Sequence, residues 1–246
     1  MQEKKDIRTD LLELYTNDQL IEEEDVLGLS HQNLSDRIYN TIRKKIICHQ
    51  VKPGERLIDS ELAEELGVSR SLVRQAFTIL EKAGLVELIP RNGFYVREIS
   101  RQDVKEMYEI RNILETQAAL MAVDKISNED IKKVESVFEA AKEDLDTNNK
   151  VKKFIKADAI LHEMLLKSAG NSRLTKLIKR YINHFIFYRI IDLSRVERAK
   201  QAYFEHYKIF EAVRQRDAEH TAELISAHIS NEKDIILKNY DKYTFG

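Results

Sequence analysis

Four side chains in the C-terminal half have the residue types and the spacing of a metal-binding set. Asp158 and His162 lie four residues apart, so in a helix both project from the same face. His206 and His228 lie eleven residues before and eleven residues after Asp217. If Asp217 begins the second arm of an antiparallel helical hairpin, both imidazoles lie at the same height, about 16 Å from the turn. One carboxylate and three imidazoles can then share a divalent cation, although such histidines can equally be hydrogen-bonded packing residues.

A second chemically distinctive set lies at the start of an amphipathic helix in the N-terminal third. Its members are Ser69, Arg70, Ser71 and Arg74. Small hydroxyl groups contact phosphates, and guanidinium groups on one helix face contact base edges. The set therefore predicts double-stranded DNA as a partner. The competing interpretation is structural, because helical hairpins with surface arginines occur in many α-rich domains.

The apolar pattern around this set predicts three helices. Apolar residues recur every four positions from Leu34 to about residue 50. Two shorter helices are expected over 59–66 and 69–83, and Asp59 or Ser60 is expected to cap the first of them. The last helix presents the hydroxyl and guanidinium groups described above.

A β-hairpin is predicted directly after these helices. Two β-prone runs, over 85–89 and 94–99, flank a turn that contains Arg91, Asn92 and Gly93. Asn-Gly favours the positive dihedral angles of a tight hairpin, and its tip could reach a minor groove or phosphate groups. Three helices and a hairpin form a winged helix-turn-helix.

The fold class is mostly α, an N-terminal winged helix-turn-helix plus a C-terminal all-α helical bundle. No strand pattern returns after Ser100, and about six helices are expected, with Ser100 and Ser127 as caps. The predicted organisation is an acidic arm over 1–30, the winged helix-turn-helix over 31–99 and the bundle over 100–246.

The composition limits the cellular compartment in which the protein is expected and the part of the chain that can contact DNA. The chain has 246 residues, enough for two modest domains, and its single cysteine, Cys48, excludes an intrachain disulfide. No apolar run approaches the ~18 residues of a membrane span, so we expect a cytoplasmic protein. Residues 1–30 carry three basic and nine acidic side chains, which makes contact of this arm with DNA unfavourable.

Five segments of the N-terminal half carry motifs of a known family. They are Pro53-Gly54-Glu55-Arg56-Leu57, Leu62-Ala63-Glu64-Glu65-Leu66-Gly67-Val68-Ser69-Arg70, Val73-Arg74-Gln75-Ala76, Leu80-Glu81-Lys82-Ala83-Gly84-Leu85-Val86 and Gly93-Phe94-Tyr95-Val96. These segments resemble the GntR family of bacterial transcription regulators. The resemblance implies contact with operator DNA by Ser69, Arg70, Ser71, Arg74, Arg91, Asn92 and Gly93. Leu72 replaces a proline found in many members, a change that leaves the helix start intact.

The C-terminal half carries a second set of matching features. They are Tyr108-Glu109-Ile110-Arg111 with Glu115, the Asp158 and His162 pair, Lys167-Ser168-Ala169-Gly170-Asn171, and the His206 and His228 pair around Asp217. These features resemble the effector domain of the FadR subfamily, called FCD. The resemblance implies a homodimer and a divalent transition metal, zinc first and nickel or manganese as alternatives, on Asp158, His162, His206 and His228. It also implies a small carboxylate effector near the metal, with Arg111 either binding that effector or pairing with Glu115.

The expected function is that of a transcriptional regulator, a repressor by family habit, whose operator affinity responds to the carboxylate. One alternative is a dimeric DNA-binding protein whose metal is purely structural. Another is a metal-dependent hydrolase fused to a DNA-binding domain. No HExxH motif or nucleophile elbow is present, and Glu163 points away from the face that carries His162, so we expect no enzyme activity.

Overall fold

The structure, a computed structural model, describes residues 34–143, 150–181 and 196–244. The predicted arm over 1–30 lies outside these ranges. The first helix, α1 (Leu34–Ile47), ends earlier than expected. Its end forms a Schellman motif, in which His49 has a φ of 57° and the amides of His49 and Gln50 donate to the carbonyls of Ile46 and Lys45. Because a histidine rather than a glycine takes the left-handed position, the sequence pattern did not show this end.

The helix-turn-helix consists of α2 (Asp59–Leu66) and α3 (Arg70–Lys82). Gly67 joins them with a φ of 64°, and the Ser69 hydroxyl caps α3 by accepting from the Leu72 amide at 3.4 Å. The predicted cap of α2 is wrong, since Ile58 occupies the N-cap position without a side-chain hydrogen bond. The Asp59 carboxylate instead bonds to arginines of α3.

A three-stranded antiparallel sheet packs beside these helices in the order β1-β3-β2. The strands are β1 (Arg56–Leu57), β2 (Val86–Ile89) and β3 (Gly93–Val96). β1 was not predicted, because two residues are too few to show an alternating pattern. At the wing tip the Asn92 amide donates to the Ile89 carbonyl, with Pro90 and then Arg91, at a φ of 68°, between them. This arrangement is typical of a type II turn, so Arg91 rather than Asn92 takes the positive φ.

The core of the N-terminal part fixes the direction in which α3 faces. Val73, Phe77 and Leu80 are fully buried in the same apolar core as Ile42 of α1, and the Phe77 and Phe94 rings lie 5.1 Å apart. Each such side chain contributes roughly 1.5–3 kcal/mol by leaving water. Because this face of α3 is buried, the opposite face, which carries the arginines, points to solvent.

The described C-terminal residues form helices only. These are α4 (Arg101–Ala122), α5 (Asn128–Glu143), α6 (Lys150–Ala169), α7 (172–181), α8 (Val196–Arg214) and α9 (Ala218–Thr244), with a 3₁₀ turn at Val123–Lys125. The predicted caps are confirmed: Ser100 forms a capping box with Asp103, and the Ser127 hydroxyl accepts from the Asp130 amide. None of the helices in the described ranges is long and apolar enough to cross a bilayer.

The ends of α4 and α9 meet where the two parts of the chain join. The Arg101 guanidinium donates to the Leu237 carbonyl at 2.9 Å and to the Asp241 carboxylate at 2.8 Å. The Tyr240 hydroxyl donates to the carbonyl of Ile99, in the segment that follows β3. The bundle is therefore bonded directly to the segment that leads from the winged helix-turn-helix.

Candidate metal centre and nucleic-acid interface

Three helices bring three histidines together in the bundle. His162 comes from α6, His206 from α8 and His228 from α9, and one ring nitrogen of each lies within 4.8 Å of the other two. The Nε2 atoms of His162 and His206 are 3.2 Å apart, and the ring centroids of His206 and His228 are 4.3 Å apart. α8 and α9 form a helical hairpin, with the Asp217 carboxylate accepting from the His220 amide at the start of α9. Equal offsets from Asp217 thus place His206 and His228 side by side, as the spacing predicts.

Asp158 joins this group from one turn before His162 on α6. Its carboxyl group is fully buried, and Oδ1 contacts Nε2 of His206 and lies 3.6 Å from Nε2 of His162. The structure therefore brings together all four residues that the sequence proposes as metal ligands.

The Nδ1 atom of each histidine faces an oxygen acceptor. The pairs are His162 with the Glu115 carboxylate at 2.8 Å, His206 with the Ala202 carbonyl at 2.7 Å and His228 with the Glu205 carboxylate at 2.6 Å. A neutral imidazole that donates from Nδ1 has its lone pair on Nε2, where a metal binds. Glu115 of α4 and Glu205 of α8 thus orient two of the candidate ligands, a role that the sequence analysis did not assign.

The donor geometry fits a divalent transition metal. If both rings are neutral and donate from Nδ1, the Nε2 lone pairs of His162 and His206 oppose each other at 3.2 Å, and a cation between them removes the repulsion. Two imidazole nitrogens bound to one metal at ~2.1 Å lie roughly 3.0 Å apart at a right angle and roughly 3.4 Å apart at the tetrahedral angle. The observed separation lies in this range, and three imidazoles with one carboxylate suit zinc or nickel.

A buried ion-pair network lies beneath the histidines. Arg111 has no solvent exposure; its Nε donates to Glu115 at 2.7 Å and its Nη1 to Glu232 at 2.6 Å. Oε2 of Glu232 lies 3.7 Å from Nε2 of His228. Of the two roles that the sequence allows for Arg111, the structure shows the pairing with Glu115.

These contacts keep the Arg111 guanidinium and the Glu115 carboxylate charged. Burial favours the neutral form of each, but the Glu115 and Glu232 carboxylates raise the pKa of Arg111 well above its usual value. Arg111 and His162 likewise outweigh the burial of Glu115 and hold the pKa of its carboxyl well below its usual range. The network is therefore ionised at neutral pH.

The charges around the histidines leave a net negative site. In the described part of the bundle the four carboxylates are Asp158, Glu115, Glu205 and Glu232, and the two guanidinium groups that bond to them are Arg111 and Arg198. With neutral histidines the excess is two negative charges. A divalent cation balances that excess, which is a second property that fits a bound metal.

The residues that the sequence assigns to DNA form an exposed surface on the N-terminal part. Ser69, Arg70, Ser71 and Arg74 are exposed at the start of α3, Arg91 and Asn92 are exposed at the wing tip, and Gly93 is half-buried. A cleft of about 500 Å³ separates wing from helix and is lined by three arginines, Arg56, Arg74 and Arg91. Arg56 belongs to β1, and sequence reasoning gave it no role in DNA binding.

Asp59 connects α2 to the two arginines of α3. Its Oδ1 accepts from Nη2 of Arg70 at 3.0 Å, and its Oδ2 accepts from Nε of Arg74. Burial opposes ionisation of Asp59, but the hydrogen bonds from Arg74 and Arg70 outweigh it and lower the pKa of this carboxyl. Sequence reasoning missed this contact as well, because its partners lie 11 and 15 residues away.

Glu163, which the sequence places off the face that carries His162, forms an ion pair with Lys167 on its own helix at 2.5 Å.

Two family profiles match the chain. The profile of the bacterial regulatory proteins of the gntR family matches residues 34–96, and the profile of the FCD domain matches residues 106–231. The two matches cover the winged helix-turn-helix and most of the bundle, respectively.

Individual proteins show the same relationship. The chain is 31% identical over 196 residues to YdhC, an uncharacterized HTH-type transcriptional regulator of Bacillus subtilis, which covers 80% of this chain and 88% of YdhC. It is 26% identical over 211 residues to the galactonate operon transcriptional repressor of Escherichia coli, covering 76% of this chain and 90% of that protein. The fold is similar to that of McbR/YncC of E. coli, with a TM-score of 0.70, 19% identity, and coverage of 85% of this chain and 100% of that one.

The two sequence relatives are transcriptional regulators and not enzymes, which agrees with the prediction of a regulator without enzyme activity. The mostly α architecture with its winged helix-turn-helix is confirmed as well. The chain therefore belongs to the GntR family of DNA-binding transcriptional regulators, in the FadR-like subfamily with an FCD C-terminal domain.

Proposed function

We propose that this regulator is a repressor whose operator affinity is controlled by a small carboxylate bound near a divalent metal in the bundle. One observation carries the proposal: three histidine rings converge, with the Nε2 atoms of His162 and His206 3.2 Å apart, while each Nδ1 faces an oxygen acceptor. This arrangement of nitrogen atoms supports a bound metal in the bundle. The same chain carries the proposed DNA-binding surface, so the metal site and DNA binding can be coupled. A regulator that binds the bacterial chromosome acts in the cytoplasm, and we place this one there.

The DNA-binding role is proposed for the start of α3 and for the wing tip. Ser69 and Ser71 are placed to contact phosphates, and Arg70 and Arg74 to contact base edges in the major groove. The wing residues Arg91, Asn92 and Gly93 are proposed to contact an adjacent phosphate backbone or minor groove from the other side of the cleft. We place the border between the two domains at Ser100, where the capping box starts α4.

Asp158, His162, His206 and His228 are the proposed metal ligands. A bound metal would act as a Lewis acid. Four protein donors do not fill the coordination shell of a five- or six-coordinate ion, so an anion can take a remaining position. The chain's own residues orient the donors: Glu115 and Glu205 hold two of the imidazoles from the Nδ1 side. We propose zinc first, with nickel or manganese as alternatives.

The proposed effector is a small carboxylate, because a carboxylate oxygen can take a coordination position of the metal that the four protein donors leave open. One relative is named for an operon of such a carboxylate, the galactonate operon transcriptional repressor of E. coli. Arg111 bonds to Glu115 and to Glu232, both within 2.7 Å, and of these two bonds the one to Glu232 joins α4 to α9. A ligand that took the place of Glu232 on Arg111 would therefore rearrange the contact between α4 and α9.

We further propose that two chains form a homodimer through α4, so that two winged helices contact two inverted half-sites. Three large apolar side chains of this helix are exposed, Ile110 by 38%, Ile113 by 68% and Leu120 by 43%. They lie along one side of α4, while Arg111 and Glu115 face the bundle from the other side. A second copy of the same face would remove these apolar groups from water.

A second candidate function keeps the metal but gives it a purely structural role. The burial of His206 and His228, 1% and 4% exposed, favours it, since structural sites are closed to solvent. Metal removal separates the two candidates.

The first prediction concerns the recognition arginines. Arg70→Ala and Arg74→Ala should each weaken binding to the operator about tenfold or more, because a bidentate arginine contact contributes ~1–3 kcal/mol of discrimination. Their urea unfolding midpoints should barely change, since both side chains are more than 60% exposed. The operator probe is the duplex selected with the wild-type protein from a random-sequence library, and affinity is measured by fluorescence anisotropy.

Lys82→Ala is the matched control, because it removes one positive charge from the far end of the same helix. It should change operator affinity much less than the arginine variants. Operator binding at wild-type strength in both arginine variants would refute the proposed surface.

The second prediction concerns metal content. Elemental analysis of the purified protein should find about one transition metal per chain, and His206→Ala and His228→Ala should lose most of it because each removes one donor. His220→Ala is the control, since His220 is exposed and lies outside the three-histidine group. Equal metal content in all three variants would rule out the proposed ligands.

The third prediction separates a sensing metal from a structural one. After chelation, operator affinity should stop responding to carboxylates, tested with acetate, succinate and galactonate, while helix content by circular dichroism stays near that of the metal-bound protein. A coupling of ~1–3 kcal/mol corresponds to a 5- to 150-fold change in operator affinity. Loss of helix content together with the metal would instead support the structural role.

The fourth prediction tests the dimer. Ile113→Lys should shift the protein from dimer to monomer in sedimentation velocity, because it places like charges against each other across a two-fold axis. Leu177→Lys is the control, as it replaces another exposed apolar side chain on a different helix. A monomeric wild type, or an Ile113→Lys variant that sediments as a dimer, would refute the α4 interface.

A further inference from the structure

Asp59 occupies an unusual place for the first residue of a helix. A carboxylate there commonly bonds to its own helix, yet the start of α2 has no side-chain cap. The side chain is only 14% exposed, and it bonds to Arg70 through one oxygen and to Arg74 through the other. One carboxylate thus holds both of the exposed arginines proposed to contact DNA bases.

The bonds to Asp59 leave DNA-binding groups of both arginines available. A guanidinium carries five N–H donors, and Asp59 takes Nη2 of Arg70 and Nε of Arg74. Both terminal nitrogens of Arg74 therefore stay available for the O6 and N7 atoms of a guanine. In Arg70 the N–H groups of Nε and Nη1 point in different directions, so each can donate a single hydrogen bond to a base edge.

The contact also removes a cost of DNA binding. Arginine side chains that are more than 60% exposed otherwise sample many rotamers, and binding must select one of them. A side chain already held in one orientation loses less entropy when it meets a base edge.

We propose that Asp59 is a positioning residue for operator recognition, holding the guanidinium groups of Arg70 and Arg74 in the orientation that contacts base edges. Asp59 thereby contributes to sequence discrimination without an attractive contact to DNA of its own. This inference rests on the proposed function of Arg70 and Arg74.

Because Asp59 is negatively charged, a positioning role and a purely repulsive role predict opposite changes in operator affinity when the charge is removed. A carboxylate near DNA repels phosphates, so its removal by itself tightens binding to any duplex. Loss of a positioning contact has the opposite effect, and only on the specific sequence. The ratio of specific to non-specific affinity separates the two effects.

The experiment compares full-length wild type with Asp59→Asn on two duplexes, the selected operator and a shuffled sequence of the same composition, over a range of salt concentrations. Affinity for the operator should fall on the order of tenfold, because a lost arginine contact to a base costs ~5- to 150-fold in discrimination. Affinity for the shuffled duplex should stay the same or rise. Asp59→Glu keeps the carboxylate and should retain more discrimination than Asp59→Asn.

Glu61→Gln is the charge-matched control, because Glu61 is an exposed acid in the first turn of the same helix. It should change both affinities in the same direction and preserve their ratio. A urea midpoint for each variant shows whether α2 remains folded.

Two results would overturn the positioning role. One is an Asp59→Asn variant that binds both duplexes more tightly by the same factor, which makes Asp59 only a repulsive charge. The other is a parallel loss on both duplexes that follows a lowered urea midpoint, which makes Asp59 only a structural residue. If Arg70→Ala and Arg74→Ala keep wild-type discrimination, the proposed base contacts themselves fail, a result distinct from failure of Asp59→Asn alone.

Discussion

The burial of the Arg111 guanidinium is the constraint on which the bundle depends. A charge without solvent contact is costly unless opposite charges bond to it, and Glu115 of α4 and Glu232 of α9 do so. The bond to Glu232 joins α9 to α4, and the bond to Glu115 lies within α4. The other oxygen of Glu115 orients His162, and Glu232 lies near His228. The contacts that compensate for one buried cation therefore also place two of the candidate metal ligands.

A carboxylate also holds guanidinium groups on the proposed DNA-binding surface, but there the guanidinium groups are exposed rather than buried. Arg70 and Arg74 are mostly in solvent, where an ion pair contributes only about 0–1 kcal/mol to stability. The consequence of their bonds to Asp59 is therefore orientation rather than stability. In the bundle the same chemistry compensates for burial, so we expect removal of Glu232 to damage the fold more than removal of Asp59.

Local sequence patterns predict much of this molecule because many of its features are local. His206 and His228 could be paired because a helical hairpin places equal offsets from its turn at equal heights. The bond between Arg111 and Glu232 could not be predicted, since 121 residues separate them and helical periodicity does not select one acidic residue of α9. The contacts of Asp59 with Arg70 and Arg74 could not be predicted for the same reason. The helix cap expected at Asp59 was wrong because two guanidinium groups compete for its carboxylate.

In the proposed function, a ligand signal must pass from the histidines to the winged helix-turn-helix, and the two helices that Arg111 joins have suitable geometry. α4 contains 22 residues and is therefore about 33 Å long, and it starts directly after the DNA-binding part. At that end Arg101 bonds to α9 through Leu237 and Asp241. A shift of α4 against α9 caused by a changed partner of Arg111 would thus appear where the two domains join. Packed helices slide between discrete arrangements rather than deform continuously, so in the proposed function a small displacement at the histidines would change the placement of the winged helix-turn-helix.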